Sequence, residues 1–185
     1  MPDTFAEAMF SEPVKRLQER NGSRAAYERM ERARAGEQKL GPDETEFIEA
    51  RDSFYMSTVT PDGWPYIQHR GGPSGFLHVV DGRTLAFADY AGNKQYISAG
   101  NLAANDRFAL FLMDYPNRTR LKVIGHARIA EPGERPQLEA SLPREAGTRV
   151  ERVFILQVTG FDWNCSQHIT PRWSAEELGS QISAT

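Results

Sequence analysis

The pattern of hydrophobic and polar residues changes near Ser53. Before it, residues 1–50 are charged and rich in strong helix formers, and Asp43 followed by Glu46 is typical of a capping box that opens a helix. After it, short apolar runs alternate with turn residues, which is the pattern of β-strands and hairpins. The pattern therefore predicts a helical N-terminal extension, residues 1–50, followed by one β domain, residues 51–185.

The β part consists of short strands that are joined mostly by hairpins. Turn residues at Thr60–Gly63 and at Asp81-Gly82 separate two pairs of strands, and a short helix is predicted over residues 93–105. This arrangement indicates about six antiparallel strands in a closed or partly closed barrel. The segments with a strand pattern are residues 54–59, 64–69, 76–80, 84–90, 107–114, 121–129 and 150–159.

Composition excludes several classes of protein. The chain has 185 residues, a net charge of −3 and one cysteine, so it has no basic excess for nucleic acid and no disulfide framework. No apolar run approaches the ~18 residues of a membrane span. The N-terminal residues lack the basic-then-apolar pattern of a signal peptide, and we expect a cytoplasmic protein without a membrane partner.

Two glycine-flanked bends carry cations. Arg70 precedes Gly71-Gly72, and Lys94 follows Gly92-Asn93 at the predicted start of a helix, where free N–H groups favour an anion. Two such cations that converge would fit a phosphate monoester. The alternative is that each is an ordinary surface cation at a turn. Further candidates are Arg120 and Arg172.

The segment from Phe161 to Trp173 is too polar for a core strand and too aromatic for a free tail. It could cover a flat heteroaromatic ring, with Trp163 as a wall. The alternative is a tail that packs against a partner subunit and does nothing more. Its hydrogen-bonding groups are Asn164, Gln167 and His168.

Few residues suggest acid–base or nucleophilic chemistry. The candidates are His69, His168 and Cys165, the last with His168 three residues away as a base. The histidines have no metal-ligand spacing, so we expect no metal site. The sequence contains no nucleophile elbow, no dinucleotide-binding glycine motif and no P-loop.

Five motifs, in order from about Ser53 to Arg172, resemble those of the pyridoxamine 5′-phosphate oxidase-like flavin-nucleotide-binding proteins. They are Gln68-His-Arg-Gly-Gly-Pro-Ser-Gly-Phe76, Leu85-Ala-Phe-Ala-Asp-Tyr-Ala-Gly-Asn-Lys94, Ser98-Ala-Gly-Asn-Leu102, Leu121-Lys-Val-Ile-Gly-His-Ala-Arg128 and Trp163-Asn-Cys-Ser-Gln-His-Ile-Thr-Pro-Arg172.

The resemblance implies a mainly β fold, a six-stranded antiparallel split β-barrel of the FMN-binding type. It also implies a homodimer that binds FMN at the subunit interface. Lys94 would take the phosphate, Arg120 would reach the flavin near the two-fold axis, and Trp163 and Arg172 would approach it from the facing subunit. The implied cofactor-binding residues are Gln68, His69, Arg70, Gly71, Gly72, Phe87, Asp89, Tyr90, Asn93, Lys94, Ser98, Asn101, Arg120, Trp163, Asn164, Gln167, His168 and Arg172.

The chain departs from the oxidase at one motif. The oxidase has an Arg-x₄-Lys phosphate pattern, whereas the fifth residue after Arg70 is Gly75. The sequence therefore favours an FMN-dependent oxidoreductase of unknown substrate over an enzyme of vitamin B6. A second hypothesis is a protein that stores or senses FMN without turnover, and a third is the same barrel holding deazaflavin or haem.

Overall fold

The N-terminal part of the chain is helical and the remainder is mainly antiparallel β-sheet. A computed structural model describes residues 2–36, 38–163, 166–175 and 177–179. The helices are α1 (Phe5–Met9), α2 (Glu12–Arg20), α3 (Arg24–Ala33), α4 (Pro42–Glu49), α5 (Ile97–Ala104) and α6 (Pro136–Ser141). The strands are β1 (Ser53–Val59), β2 (Pro65–Gly71), β3 (His78–Asp81), β4 (Thr84–Tyr90), β5 (Arg107–Asp114), β6 (Thr119–Ala130) and β7 (Val150–Trp163).

All strands join one antiparallel sheet in the order β2-β1-β5-β6-β7-β4-β3. The described part of the sheet has seven strands rather than the expected six, because every segment with a strand pattern forms a strand. The shortest is β3, a four-residue edge strand that pairs with β4 through an irregular register. The mainly β fold class is confirmed, and the strand number is corrected.

The sheet curls so that its two halves meet around one core. In the sheet order, β1 and β4 are separated by three strands, yet the rings of Phe54 on β1 and Phe87 on β4 lie 5.3 Å apart. Phe76 stacks on Phe54 at 5.3 Å, and Phe154 stacks on Phe87 at 4.8 Å. All four rings are buried, and they hold the curled sheet as a barrel.

Two helices begin at different residues from those predicted. The cap of α4 is formed by the Glu44 side chain, which accepts from the Gly41 N–H at 2.9 Å, and not by Asp43 with Glu46. Helix α5 begins at Ile97 rather than near residue 93, since Lys94 and Tyr96 have positive φ angles of 58° and 52°, which no α-helix accommodates.

The last strand extends further than its composition suggested. Strand β7 includes Phe161 to Trp163, which the sequence assigned to a polar tail. The Gln38 amide binds both the backbone of Phe161 and the N–H of Phe5, at 2.8–3.3 Å. Gly160 is needed beneath this contact, because a Cβ there would lie 2.2 Å from the Phe5 nitrogen. The N-terminal segment is thus fixed to β7.

Two kinds of feature are absent from the residues that the structure describes. No helix there combines the length and the apolar character that crossing a bilayer requires. No group of three or more His, Cys, Asp or Glu residues is placed there to hold a metal ion.

Candidate functional site

One pocket at the mouth of the barrel brings together the two cationic bends. We call it the cationic pocket. It is bordered by β2, by the end of β4, by residues 92–99 and by the start of β7. The cavity measures about 80 Å³, and its lining includes Arg70, Lys94 and Arg152 together with Asp89 and Glu151. Three cations against two carboxylates leave the lining one positive charge in excess.

The pocket wall is an ion-paired cluster of Arg70, Asp89 and Arg152. Asp89 and Arg152 are register partners on β4 and β7, and Asp89 receives Arg70 on one oxygen and Arg152 on the other, the latter at 3.5 Å. The three side chains are only 12–16% exposed. One carboxylate between two arginines offsets their repulsion and stabilises this arrangement of the wall.

The Arg70 side chain enters the pocket from β2 between aromatic rings. Its guanidinium lies 5.2 Å from the Phe154 ring centre and 5.7 Å from that of Phe87. Its Nε atom is buried and, within the part of the chain that the structure describes, has no hydrogen-bond partner. A buried N–H without a partner is costly, and an acceptor in the pocket would satisfy it.

The pocket loop, residues 91–96, is exposed and has a special backbone. Lys94 and Tyr96 are both in the left-handed region, which residues other than glycine seldom adopt. The Asn93 side chain accepts from the Gln95 N–H at 3.2 Å and shapes the turn. Lys94 has no ion-pair partner among the described residues, so its charge is available to an anion.

Helix α5 starts at the pocket and is tied to β2. Tyr96, the N-cap, and the first helical residues line the pocket, so the free N–H groups of the first turn lie at its edge. The Ser98 hydroxyl donates to the Gln68 side chain at 2.9 Å, and Ser98 is buried. This bond joins the helix start to the strand that carries Arg70.

Tyr90 completes the lining at the end of β4. Burial raises the pKa of the Tyr90 phenol, and its hydroxyl donates to the Pro143 carbonyl at 3.5 Å. The phenol is therefore neutral near pH 7, and the negative charge of the pocket comes from Asp89 and Glu151 alone.

Several predicted site residues lie elsewhere. His69 is on the face of β2 opposite to Gln68 and Arg70, where it contacts the Tyr55 ring. A Cβ on Gly72 would lie 2.7 Å from the Phe76 ring, so the space expected for a ligand is taken by a core side chain. The Gly72 N–H already donates to the Asp52 carbonyl at 2.9 Å.

Three further predicted residues have structural contacts. The buried Phe87 belongs to the aromatic core and lies outside the pocket lining, where its ring stacks on Phe154. The buried Asn101 donates to the Thr58 hydroxyl at 3.0 Å and lies outside the pocket lining. Gly71 is at the end of β2, where an added Cβ would lie 3.2 Å from the His69 ring.

The residues expected to reach the flavin near the two-fold axis or from the facing subunit lie outside the pocket lining of one chain. Trp163 is at the opposite end of β7 from Arg152, up to about 35 Å away at the rise of a β-strand. Its indole N–H donates to Glu44 at 2.7 Å, and its ring packs on Phe47. Arg120 is on the face of β6 opposite to the buried Leu121, and its Nε is buried without a partner among the described residues.

The aromatic tail is placed on the outer surface. Arg172 lies over the Tyr115 ring at 5.1 Å, and Gln167 and His168 are exposed. Asn164 and Cys165 lie outside the described residues, so their roles stay predictions.

Sequence reasoning missed Arg152, Glu151, Tyr66 and Tyr96, all of which line the pocket. Arg152 is separated from Asp89 by more than 60 residues, and only the pairing of β4 with β7 brings them together. One available signal was the Glu151-Arg152 pair at the start of an otherwise apolar strand.

Comparisons with known proteins identify the family of the chain. The family model described as pyridoxamine 5′-phosphate oxidase matches residues 40–159. A search of curated proteins finds no match to the sequence.

Three solved structures are similar in fold. A Lactobacillus delbrueckii protein named as a candidate pyridoxamine 5′-phosphate oxidase is 20% identical, with 68% of this chain and 94% of that chain covered and a TM-score of 0.53. An FMN-binding protein from Syntrophomonas wolfei is 13% identical, with coverages of 80% and 97% and a TM-score of 0.51. HupZ from group A Streptococcus is 14% identical, with coverages of 72% and 100% and a TM-score of 0.51.

At these identities the structural similarity shows the shared fold alone. The family model covers well over half of the 185 residues, from α4 to the middle of β7, and includes the entire cationic pocket. The chain therefore belongs to the pyridoxamine 5′-phosphate oxidase family.

Proposed function

We propose that the cationic pocket binds the phosphate of FMN and that the chain is an FMN-dependent oxidoreductase. The observation that carries the proposal is the position of Lys94, a cation without an ion-pair partner among the described residues, beside the first turn of α5. A phosphate dianion suits a cation and free helix N–H groups together. When bound, FMN supplies the electron-transfer chemistry.

The residues present fit a phosphate monoester. Lys94 offers a point charge, the α5 amides offer donors, and Arg70 has a buried Nε without an acceptor in the described part of the chain. The excess of one positive charge in the lining favours an anion. The wall arginines are paired with Asp89, so we propose that they shape the pocket. The main contact with the phosphate is then made by Lys94.

The flavin ring needs a second subunit. A cavity of about 80 Å³ accepts a phosphate but is smaller than the ~300–1,000 Å³ of complete ligand pockets. The outer face of the β1–β2 hairpin exposes Tyr55 (38%), Trp64 (73%) and Ile67 (64%), a patch suited to a homodimer interface. In that homodimer, Arg120 would reach the ring near the two-fold axis, and Trp163 and Arg172 would reach it from the facing subunit.

The chain's own residues bind and orient the cofactor. Asp89 and Glu151 are both engaged by arginines, and the Tyr90 phenol is neutral, so among the described lining residues no carboxylate is free to act as a base. This favours a reaction in which electrons pass to a small acceptor without a protein acid–base group. The same observation favours the second candidate, a protein that stores or senses FMN.

Purification and turnover assays test the proposal. We expect a yellow protein whose acid-released cofactor has the mass of FMN, and reoxidation of the reduced protein by quinones or oxygen. Gly75 replaces the second cation of the oxidase pattern, so pyridoxamine phosphate should not be oxidised. FMN without any turnover would favour storage or sensing, whereas a deazaflavin or haem mass, or no affinity for FMN, would overturn the proposal.

The single cysteine favours a reducing compartment, and we propose the cytoplasm as the location. Measuring the distribution of the protein between cell fractions would test this.

A further inference from the structure

The hairpin formed by α2 and α3 precedes the part of the chain that the family model matches, residues 40–159. Its base is fixed to the barrel at two points. The Phe5 N–H and the Phe161 backbone share the Gln38 amide, and Arg34 pairs with Asp162 at 3.6 Å. The hairpin is thus held firmly at its ends.

Between these anchors the hairpin has almost no core of its own. Helices α2 and α3 have nine and ten residues, and the only buried residue in either is Gln18. Arg24 on α3 donates to the Gln18 side chain on α2 at 2.5 Å and pairs with Glu31 of its own helix at 2.7 Å. The ring of Tyr27 on α3 contacts that of Phe10, before α2, at 5.3 Å. Helices of this length are marginal in water without packing, so an additional surface is needed to stabilise them.

The uncovered surface of the hairpin is apolar and basic. Leu17 and Tyr27 are 49% and 40% exposed. Residues 12–34 carry seven basic and four acidic side chains, whereas the remaining residues carry 15 basic and 21 acidic ones. Among the residues that the structure describes, Arg16, Arg20 and Arg29 are exposed without an ion-pair partner.

We propose that the α2–α3 hairpin is an arm that packs on a second copy of this chain and strengthens the dimer. Charge complementarity selects this occupant, because the body of the chain has a net charge of −6 without the hairpin, which itself carries +3. The inference rests on the homodimer of the proposed function.

The position of the hairpin agrees with this occupant. Helix α1 covers the outer face of the sheet at β6 and β7, where Lys122 lies over the Phe5 ring at 4.9 Å. The outer face of β1 and β2, which only β5 separates from β6, is open, with Tyr55 and Ile67 exposed. A copy seated on that open face would lie next to the segment from which the hairpin projects.

Subunit exchange of the full-length, FMN-loaded protein tests the inference. Unlabelled and isotope-labelled dimers are mixed, and native mass spectrometry follows the mixed dimer. Leu17→Glu removes an exposed apolar contact, and Arg16→Glu with Arg29→Glu reverses the unpaired charge. We expect each variant to exchange about tenfold faster or more, since interface changes act mainly on dissociation.

The control is Arg135→Glu with Arg144→Glu, which makes the same change in net charge at two exposed arginines outside the hairpin. It should leave the exchange rate within about twofold of the wild type. Circular dichroism and the FMN spectrum confirm that each variant is folded.

The outcomes are distinguishable. A wild-type protein that is monomeric would overturn the homodimer on which both proposals rest. A dimeric wild type whose hairpin variants exchange at the control rate would overturn the arm alone. Loss of binding to phosphatidylserine vesicles in the hairpin variants, with exchange unchanged, would also overturn it and identify a membrane surface as the occupant.

Discussion

The wall and the loop of the cationic pocket both carry cations, but they hold them in opposite ways. In the wall, Arg70 and Arg152 are mostly buried and share the Asp89 carboxylate. In the loop, Lys94 is exposed on a left-handed backbone, without an ion-pair partner among the described residues. The wall charges are therefore largely neutralised, whereas the loop charge is not.

This difference separates two tasks that one cationic site could combine. A buried ion pair contributes little net stability but fixes geometry, and removing one partner is costly. An exposed lysine contributes little to folding, yet it gains a charge-assisted bond when an anion arrives. Changes in the wall should therefore act on stability, and changes in the loop should act on phosphate affinity.

The largest expected effect is that of Asp89→Ala. It leaves the mostly buried Arg70 without its carboxylate partner and Arg152 paired with Glu151 alone. We expect the free energy of unfolding to fall by about 3–5 kcal/mol, as for other broken buried pairs. Urea denaturation followed by circular dichroism measures the change.

Glu28→Ala provides a matched control for Asp89→Ala. It breaks the Arg32–Glu28 pair at 3.1 Å, whose side chains are 76% and 50% exposed, and should cost less than about 1 kcal/mol. Equal losses for the two variants would contradict the distinction between a buried wall and an exposed loop.

The next largest effect is that of Lys94→Ala on cofactor binding. Loss of the charge-assisted contact should weaken FMN binding by about 1.5–3 kcal/mol, or roughly 10–150-fold, with unfolding unchanged. Titration of the apoprotein with FMN, followed by flavin fluorescence, measures the affinity.

Arg135→Ala is the control, because it removes the same charge at an exposed position outside both the pocket and the hairpin. Its FMN affinity should match that of the wild type. An unaltered FMN affinity in Lys94→Ala would show that this lysine does not bind the phosphate. The wall arginines would then be the better candidates for the phosphate contact.

The sequence predicted the strands well where apolar runs are short and bounded by turns. Strands β4 (Thr84–Tyr90) and β5 (Arg107–Asp114) have their predicted bounds. The end of β7 was missed because Asp162 and the aromatic residues around it look like a tail, although Gln38 and Trp163 find partners on the N-terminal segment and α4. These partners are more than 100 residues away in sequence.

Partners that are distant in sequence also limited the prediction of the pocket. The meeting of Arg70 and Lys94 could be predicted, since each is beside a glycine-marked bend. The neutralising role of Asp89 could not, because it depends on the register that sets it opposite Arg152. Gly72 was misinterpreted for a related reason: the space that it leaves is filled by Phe76, four residues away, after the chain turns back.

The smallest expected effect is that of Ser98→Ala, which acts where wall and loop are joined. The lost hydroxyl leaves the Gln68 side-chain oxygen without its donor, and unfolding should become easier by about 1 kcal/mol. FMN affinity should also fall, but by less than in Lys94→Ala, since this bond only fixes the start of α5 against β2. Ser74→Ala, at an exposed serine, should change neither quantity. A Ser98→Ala variant that lost stability with full FMN affinity would show that the wall and the loop act independently, because then the helix start would not need β2 to present its amides.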